Sequence, residues 1–157
     1  MKIRKMQRDE YPLLENFLYE AIFIPNGVEP PPKSIIYRPE LQVYISEFGT
    51  SKHDIAFVAD LDGKIVGAVW VRIMNNYGHI DDNTPSFAIS LYKEYRRKGI
   101  GTALMEEMLT TLKARGYEQA SLSVQKENYA AKMYKRLGFQ IIEETEEEYL
   151  MLKKLSE

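Results

Sequence analysis

The stretch Arg96-Arg97-Lys98-Gly99-Ile100-Gly101-Thr102 constrains this chain more than any other. An apolar run, Phe87 to Leu91, ends just before it, and an amphipathic pattern, Thr102 to Arg115, starts at its end. The run reads as a buried strand and the pattern as a helix. A strand that turns through two glycines into a helix aims several backbone N–H groups, and the positive end of a helix dipole, at one spot. Such a spot binds a phosphate or pyrophosphate. Gly99 and Gly101 let the backbone approach the anion closely, Arg96, Arg97 and Lys98 add charge-assisted contacts, and Ile100 and Thr102 complete the loop. The spacing is neither a dinucleotide fingerprint nor a P-loop, because it lacks a third glycine at the Rossmann position and a Gly-Lys-Ser/Thr ending.

The rest of the chain supplies a frame for that loop. Lys2 to Met6 reads as a first strand, and Asp9 as the N-cap of a helix carrying Leu14, Phe17, Leu18, Ala21 and Ile22 at helical spacing. Ile24 to Pro39 holds five of the seven prolines, which excludes regular helix or central strand and leaves an ordered surface loop. Glu40 to Phe48 reads as a short helix ended by Gly49. Ile55–Ala59 and Ile65–Met74 form a hairpin across Asp60-Leu61-Asp62-Gly63-Lys64. Asn75 to Pro85 is a polar connection containing Tyr77, Gly78, His79, Asp81 and Asp82. After the glycine loop and its helix, Ala120–Val124 is a strand, and a helix from near Asn128 ends at Leu137-Gly138, with Gly138 at C′. Phe139–Ile142 and Tyr149–Leu152 close the chain as strands. The expectation is a single α/β (α+β) domain over residues 1–157, with a mixed, mostly antiparallel sheet of seven strands and helices on both faces.

Composition removes several function classes. A net charge of −2 argues against general nucleic-acid binding, so the cations at 96–98 are a local feature. With no cysteine there is no disulfide, zinc–thiolate site or thiol nucleophile, which fits a reducing, cytoplasmic setting. The N-terminus lacks the apolar core of a signal peptide, and no apolar run has the length of a membrane span. Nothing arranges His79, Asp81 and Asp82 as metal ligands, so no metal is expected.

A second constellation follows the Ala120–Val124 strand: Asn128, Ala131 and Tyr134, then Gly138-Phe139. Asn128 stands at a first helical turn, where its amide caps the helix or meets a ligand, and Tyr134 carries a phenol that can donate a proton. Together the two stretches resemble the GNAT superfamily of acyl-CoA-dependent N-acetyltransferases. The Arg/Gln-x-x-Gly-x-Gly/Ala loop is matched by Arg96, Gly99 and Gly101. The Asn-x-x-Ala-x-x-Tyr helix with its Gly-Phe is matched by Asn128, Ala131, Tyr134, Gly138 and Phe139. The resemblance covers residues 86–139.

That resemblance implies acetyl transfer from acetyl-CoA to a primary amine by direct attack, on a small molecule or a peptide. It implies a splayed pair of central strands with pantetheine between them, held by main-chain groups at Ile89 and Leu91. The 96–102 loop would hold the pyrophosphate, Asn128 would contact pantetheine, and Tyr134 would protonate the departing thiolate. A homodimer is a further implication. The general base stays open. Where some family members place a carboxylate near the start of the fourth strand, this chain has Pro85, leaving Asp81, Asp82, His79 or water. That gap keeps an alternative alive: a non-catalytic acyl-CoA-binding sensor or assembly module of the same fold. The proline-rich loop reads as a wall of the acceptor pocket, and the acid-rich Glu143–Glu148 as a solvated turn.

Overall fold

A computed structural model describes residues 1–74 and 79–156. Tyr77 and Gly78 of the polar connection lie outside the described residues. The strands are β1 (Lys2–Lys5), β2 (Ile55–Leu61), β3 (Lys64–Arg72), β4 (Ser86–Leu91), β5 (Gln119–Gln125), β6 (Gln140–Glu144) and β7 (Glu148–Lys154). They form one sheet in the order β1-β2-β3-β4-β5-β7-β6. Every pairing is antiparallel except β4 with β5, which are parallel because a helix carries the chain across between them.

Alternation along the strands sorts side chains onto two covered faces. On one, Ile55, Phe57, Val69, Val71, Phe87, Ala120 and Leu122 pack under α3 (Ile100–Ala114), which contributes Leu104, Met105, Met108 and Leu112. On the other, Ala56, Val58, Ala68 and Trp70 pack under Leu14, Phe17 and Leu18 of α1 (Leu14–Glu20), with Ile36 and Phe48. Burial on both faces explains why the central strands read as continuous apolar runs.

Three local expectations change. Asp9 is not the N-cap. A 3₁₀ turn over Arg8–Leu13 precedes α1, and Gln7 caps it, its N–H donating to Glu10 Oε1 at 2.8 Å. The proline-rich loop is ordered as expected but includes a 3₁₀ turn over Lys33–Tyr37. The expected helix over 40–48 shrinks to α2 (Pro39–Gln42) followed by turns. Leu41, Tyr44, Ile45 and Phe48 still pack on the α1-side core, but Arg72 draws off the Val43 carbonyl oxygen, at 3.3 Å, that a continuing helix needs, and also takes that of Ser46 at 2.8 Å.

Candidate active site

β4 and β5 run side by side for a single register pair, Ser86 with Ser121, where the two hydroxyls lie 3.1 Å apart and Ser121 N–H bonds Pro85 C=O. Past that point the strands part. Tyr92 N–H reaches back to Val66 on β3, so by alternation the main-chain groups of Ile89 and Leu91 face away from β3, into the gap. The Leu91 carbonyl is engaged by Arg96 Nε at 3.0 Å, while its N–H and both groups of Ile89 have no strand partner on the β5 side. Ser123 lines the facing strand, two residues beyond the joined pair.

The loop at the open end of this gap is shaped by two left-handed residues, Arg97 (φ 62) and Gly99 (φ 84), on either side of Lys98. Successive turns of that kind gather N–H groups into an anion-binding concavity. The first helical bond of α3 is Ala103 N–H to Gly99 C=O, and among the described residues no protein acceptor takes the N–H groups of Arg97 to Thr102. A side chain at Gly101 would point toward Leu91, Met133 and Ile89, at 3.6–4.0 Å from its Cβ, so this glycine faces the cleft wall. The three cations behave differently from one another. Arg97 lies 4.5 Å over the Tyr129 ring and Lys98 6.0 Å from the Tyr95 ring, whereas Arg96 is tied to Leu91 and Glu20.

α4 (Ala130–Arg136) closes the far side. Asn128 sits before it, its Oδ1 accepting Ala130 N–H at 3.0 Å, which leaves its amide nitrogen without a partner among the described residues. The helix ends as the sequence implied. Gly138 (φ 100) donates to Lys135 C=O and Phe139 N–H to Tyr134 C=O, the paired bonds of a Schellman motif. Tyr134 is thereby fixed, edge-on to Phe139 at 6.1 Å, with Phe139 edge-on to Phe87. Tyr134 is only 8% exposed, and its hydroxyl has no hydrogen-bond partner among the described residues although no polar side-chain atom is both sealed and unpartnered. The hydroxyl therefore reaches open space. Burial pushes its phenol well above the ordinary value, so it keeps its proton.

Of the two carboxylates near Pro85, Asp81 is spent on structure. Asp81 accepts the Thr84 hydroxyl and the Asn83 N–H, both at 2.8 Å, and these bonds hold it below the usual carboxylate range. Among the described residues His79 reaches only the exposed Asp82, at 3.3 Å. Through Thr84, which Gln119 of β5 also reaches, Asp81 stands beside the joined end of β4 and β5. Sequence reading missed Glu148. It pairs in register with Gln125 at the open end of β5, and Gln125 Nε2 donates to it at 3.3 Å. Direct register partners share a face, which places Glu148 on the α1 side with Ser121, Ser123 and Ser86. Burial, then the neighbouring Glu147, raises its carboxyl pKa. One acid among five in six residues carries no sequence signal that it, and not its neighbours, is half-buried.

Residues 14–139 match the Acetyltransferase (GNAT) family. The chain belongs to that family. Two proteins named N-alpha-acetyltransferase are similar to it. The one from Sulfurisphaera tokodaii is 34% identical over 92 residues, 53% of this chain and 54% of that protein. The one from Saccharolobus solfataricus is 30% identical over 128 residues, 71% of this chain and 74% of that protein. The match thus spans about half the length of the first. Among solved structures, the Thermoplasma acidophilum PaiA N-acetyltransferase in complex with coenzyme A shares the fold, with a TM-score of 0.71, 21% identity and 98% coverage of both chains. Among the described residues of this GNAT chain, no cluster of three or more His, Asp or Glu is placed to hold a metal ion, and no helix is long and apolar enough to cross a membrane.

Proposed function

We propose that the protein transfers the acetyl group of acetyl-CoA to a primary amine, the α-amino group of a peptide or of an amino-acid-like small molecule. The observation that carries this reading is the single-rung pairing of β4 and β5 beside a run of unclaimed N–H groups. A gap lined by main-chain donors and acceptors suits a pantetheine arm, with its two amides, and the 97–102 concavity suits a diphosphate. The names of the two N-alpha-acetyltransferase relatives favour an α-amine over other acceptors.

In the proposed reaction the amine nitrogen attacks the thioester carbonyl carbon, a C–N bond forms, and the C–S bond breaks. The Ile89 and Leu91 N–H groups stabilise the developing oxyanion. Tyr134, protonated at neutral pH, gives its proton to the departing thiolate and regains one from solvent. The amine approaches from the α1 side, and its proton passes through water to Glu148. A carboxylate of raised pKa is a stronger base than Asp81, whose bonds weaken it. The segment between α1 and α2 forms a wall of the acceptor site.

The test is thiol release from acetyl-CoA over a panel of amino acids, polyamines, aminoglycosides, arylamines and peptides with free N-termini. The chain has no cysteine, so a thiol-reactive dye reads no protein background. Release with peptides or amino acids is the expected outcome. CoA binding with silence across the panel would move the reading to a non-catalytic acyl-CoA-binding module.

A further inference from the structure

Arg96 opens the glycine motif, yet its guanidinium turns away from the N–H donors that follow it. Nε donates to the Leu91 carbonyl at 3.0 Å, and one terminal nitrogen donates to the Glu20 carbonyl at 3.1 Å and to Glu20 Oε1 at 3.2 Å. One side chain therefore joins the end of β4, the start of the loop and the last turn of α1. The geometry is well matched. The Glu20 carbonyl is among those an α-helix leaves unpaired at its C-terminus, and a cation there complements the helix dipole. The Glu20 carboxylate offsets the Arg96 charge, so that charge is already engaged before any anion arrives.

What hangs on this clamp is the exit from α1. The body of the helix is anchored independently, by Ser90 Oγ donating to Phe17 C=O at 2.6 Å and by Asn16 with Tyr92. Its end leads within a few residues into the proline-rich segment. That segment folds back on the same helix, Tyr19 hydroxyl donating to Pro31 C=O at 2.6 Å and Tyr37 hydroxyl to Glu15 at 3.3 Å. The proposed acceptor wall is thus suspended from α1, and the end of α1 is pinned to the proposed CoA loop by Arg96.

We infer that Arg96 is a positioning residue, not an anion ligand: it couples occupancy of the 97–102 loop to the setting of residues 21–39. The inference rests on the reading of that loop as the CoA diphosphate site. An anion that orders the loop holds Arg96 on Glu20 and so holds the start of the wall; by linkage, an ordered wall favours the anion equally. Lysine cannot replace the fork, because a point charge on one nitrogen does not span the two carbonyls and a carboxylate.

The experiment measures CoA affinity by calorimetry and hydrogen exchange of residues 21–39 with and without CoA, for wild type, Arg96→Ala, Arg96→Lys and Glu20→Gln. Wild type should bind CoA and show slowed exchange over 21–39. In Arg96→Ala and Arg96→Lys, CoA affinity should fall by no more than about threefold while that protection disappears, and the acceptor KM should rise about tenfold with kcat less affected, a coupling of ordinary size. Glu20→Gln, which leaves the loop intact, should lose part of the protection with a fall in CoA affinity smaller than in the Arg96 variants, and it serves if Arg96→Ala does not fold. Equal protection in wild type and the Arg96 variants would overturn the coupling. A fall in CoA affinity of about thirtyfold or more, rescued by lysine, would make Arg96 an anion ligand and overturn the proposal. Wild type that binds no CoA would overturn the loop assignment itself, a result distinct from either.

Discussion

At the N-terminal end of β4, Thr84 donates to Asp81 and accepts from Gln119 Nε2 at 2.9 Å, and Ser86 meets Ser121. At the C-terminal end of the same strand, the N–H groups of Arg97 to Thr102 have no acceptor among the described residues, and neither does the Tyr134 hydroxyl on α4. The first end satisfies its polar groups internally and holds the strands together. The second leaves its donors for something that is not protein. Folded chains pair nearly all of their buried polar groups, so the saturated network marks a joint, and the unclaimed donors beside the gap in the sheet are what the proposed ligand site rests on. Chemistry-bearing residues alone do not separate the two. Asp81 is a carboxylate as Glu148 is, but it stands at the joint.

The largest expected effect comes from filling the open end. Gly101→Trp should abolish CoA binding in calorimetry, because its side chain is directed at the cleft wall of Leu91, Met133 and Ile89, with circular dichroism checking that the variant is folded. Retained CoA affinity in the folded variant would sink the assignment of that end.

Tyr134→Phe removes the unclaimed hydroxyl and little else. Steady-state kcat should fall by about 10²–10⁴-fold with CoA affinity unchanged, the loss expected for a general acid. Unaltered turnover would return Tyr134 to a packing role.

Glu148→Gln sharpens the contrast between carboxylates. We expect a loss of about 10²-fold in kcat/KM, against little change for Asp81→Asn. The pH profile gives the sign. The base works as carboxylate, so activity falls as pH drops through its pKa. Burial and Glu147 raise that pKa, so the wild-type limb should lie above the ordinary value of about 4.3 and vanish in Glu148→Gln. A limb that persists in the variant belongs to another group.

The smallest effect on function should come from the joint. Thr84→Val leaves Asp81 and Gln119 without their shared partner and should cost about 1–3 kcal/mol of unfolding free energy in denaturant titration. CoA affinity should not change; a loss there would mean that the two ends of β4 are not separate.

Much of this site was legible before any coordinates. The glycine loop, Gly138 at C′, Asn128 at a helix start and the alternation of the central strands each depend on residues within a few positions of one another, and each stands where expected. The helix over 40–48 was not, because Arg72, far along the chain, takes its carbonyls. The bond from Arg96 to Glu20 was not legible for the same reason: the two lie 76 residues apart. Glu148 read as one solvated acid among several.

The sequence by itself determined most of the local backbone conformations, since dihedral preference, capping and apolar period act over one or two turns and are written in neighbouring residues. Tertiary structure decided which polar groups are spent and which are left over. Hydrogen-bond partners and burial are set by elements distant in the chain, and the difference between a base and a turn residue, or a ligand and a clamp, lies there.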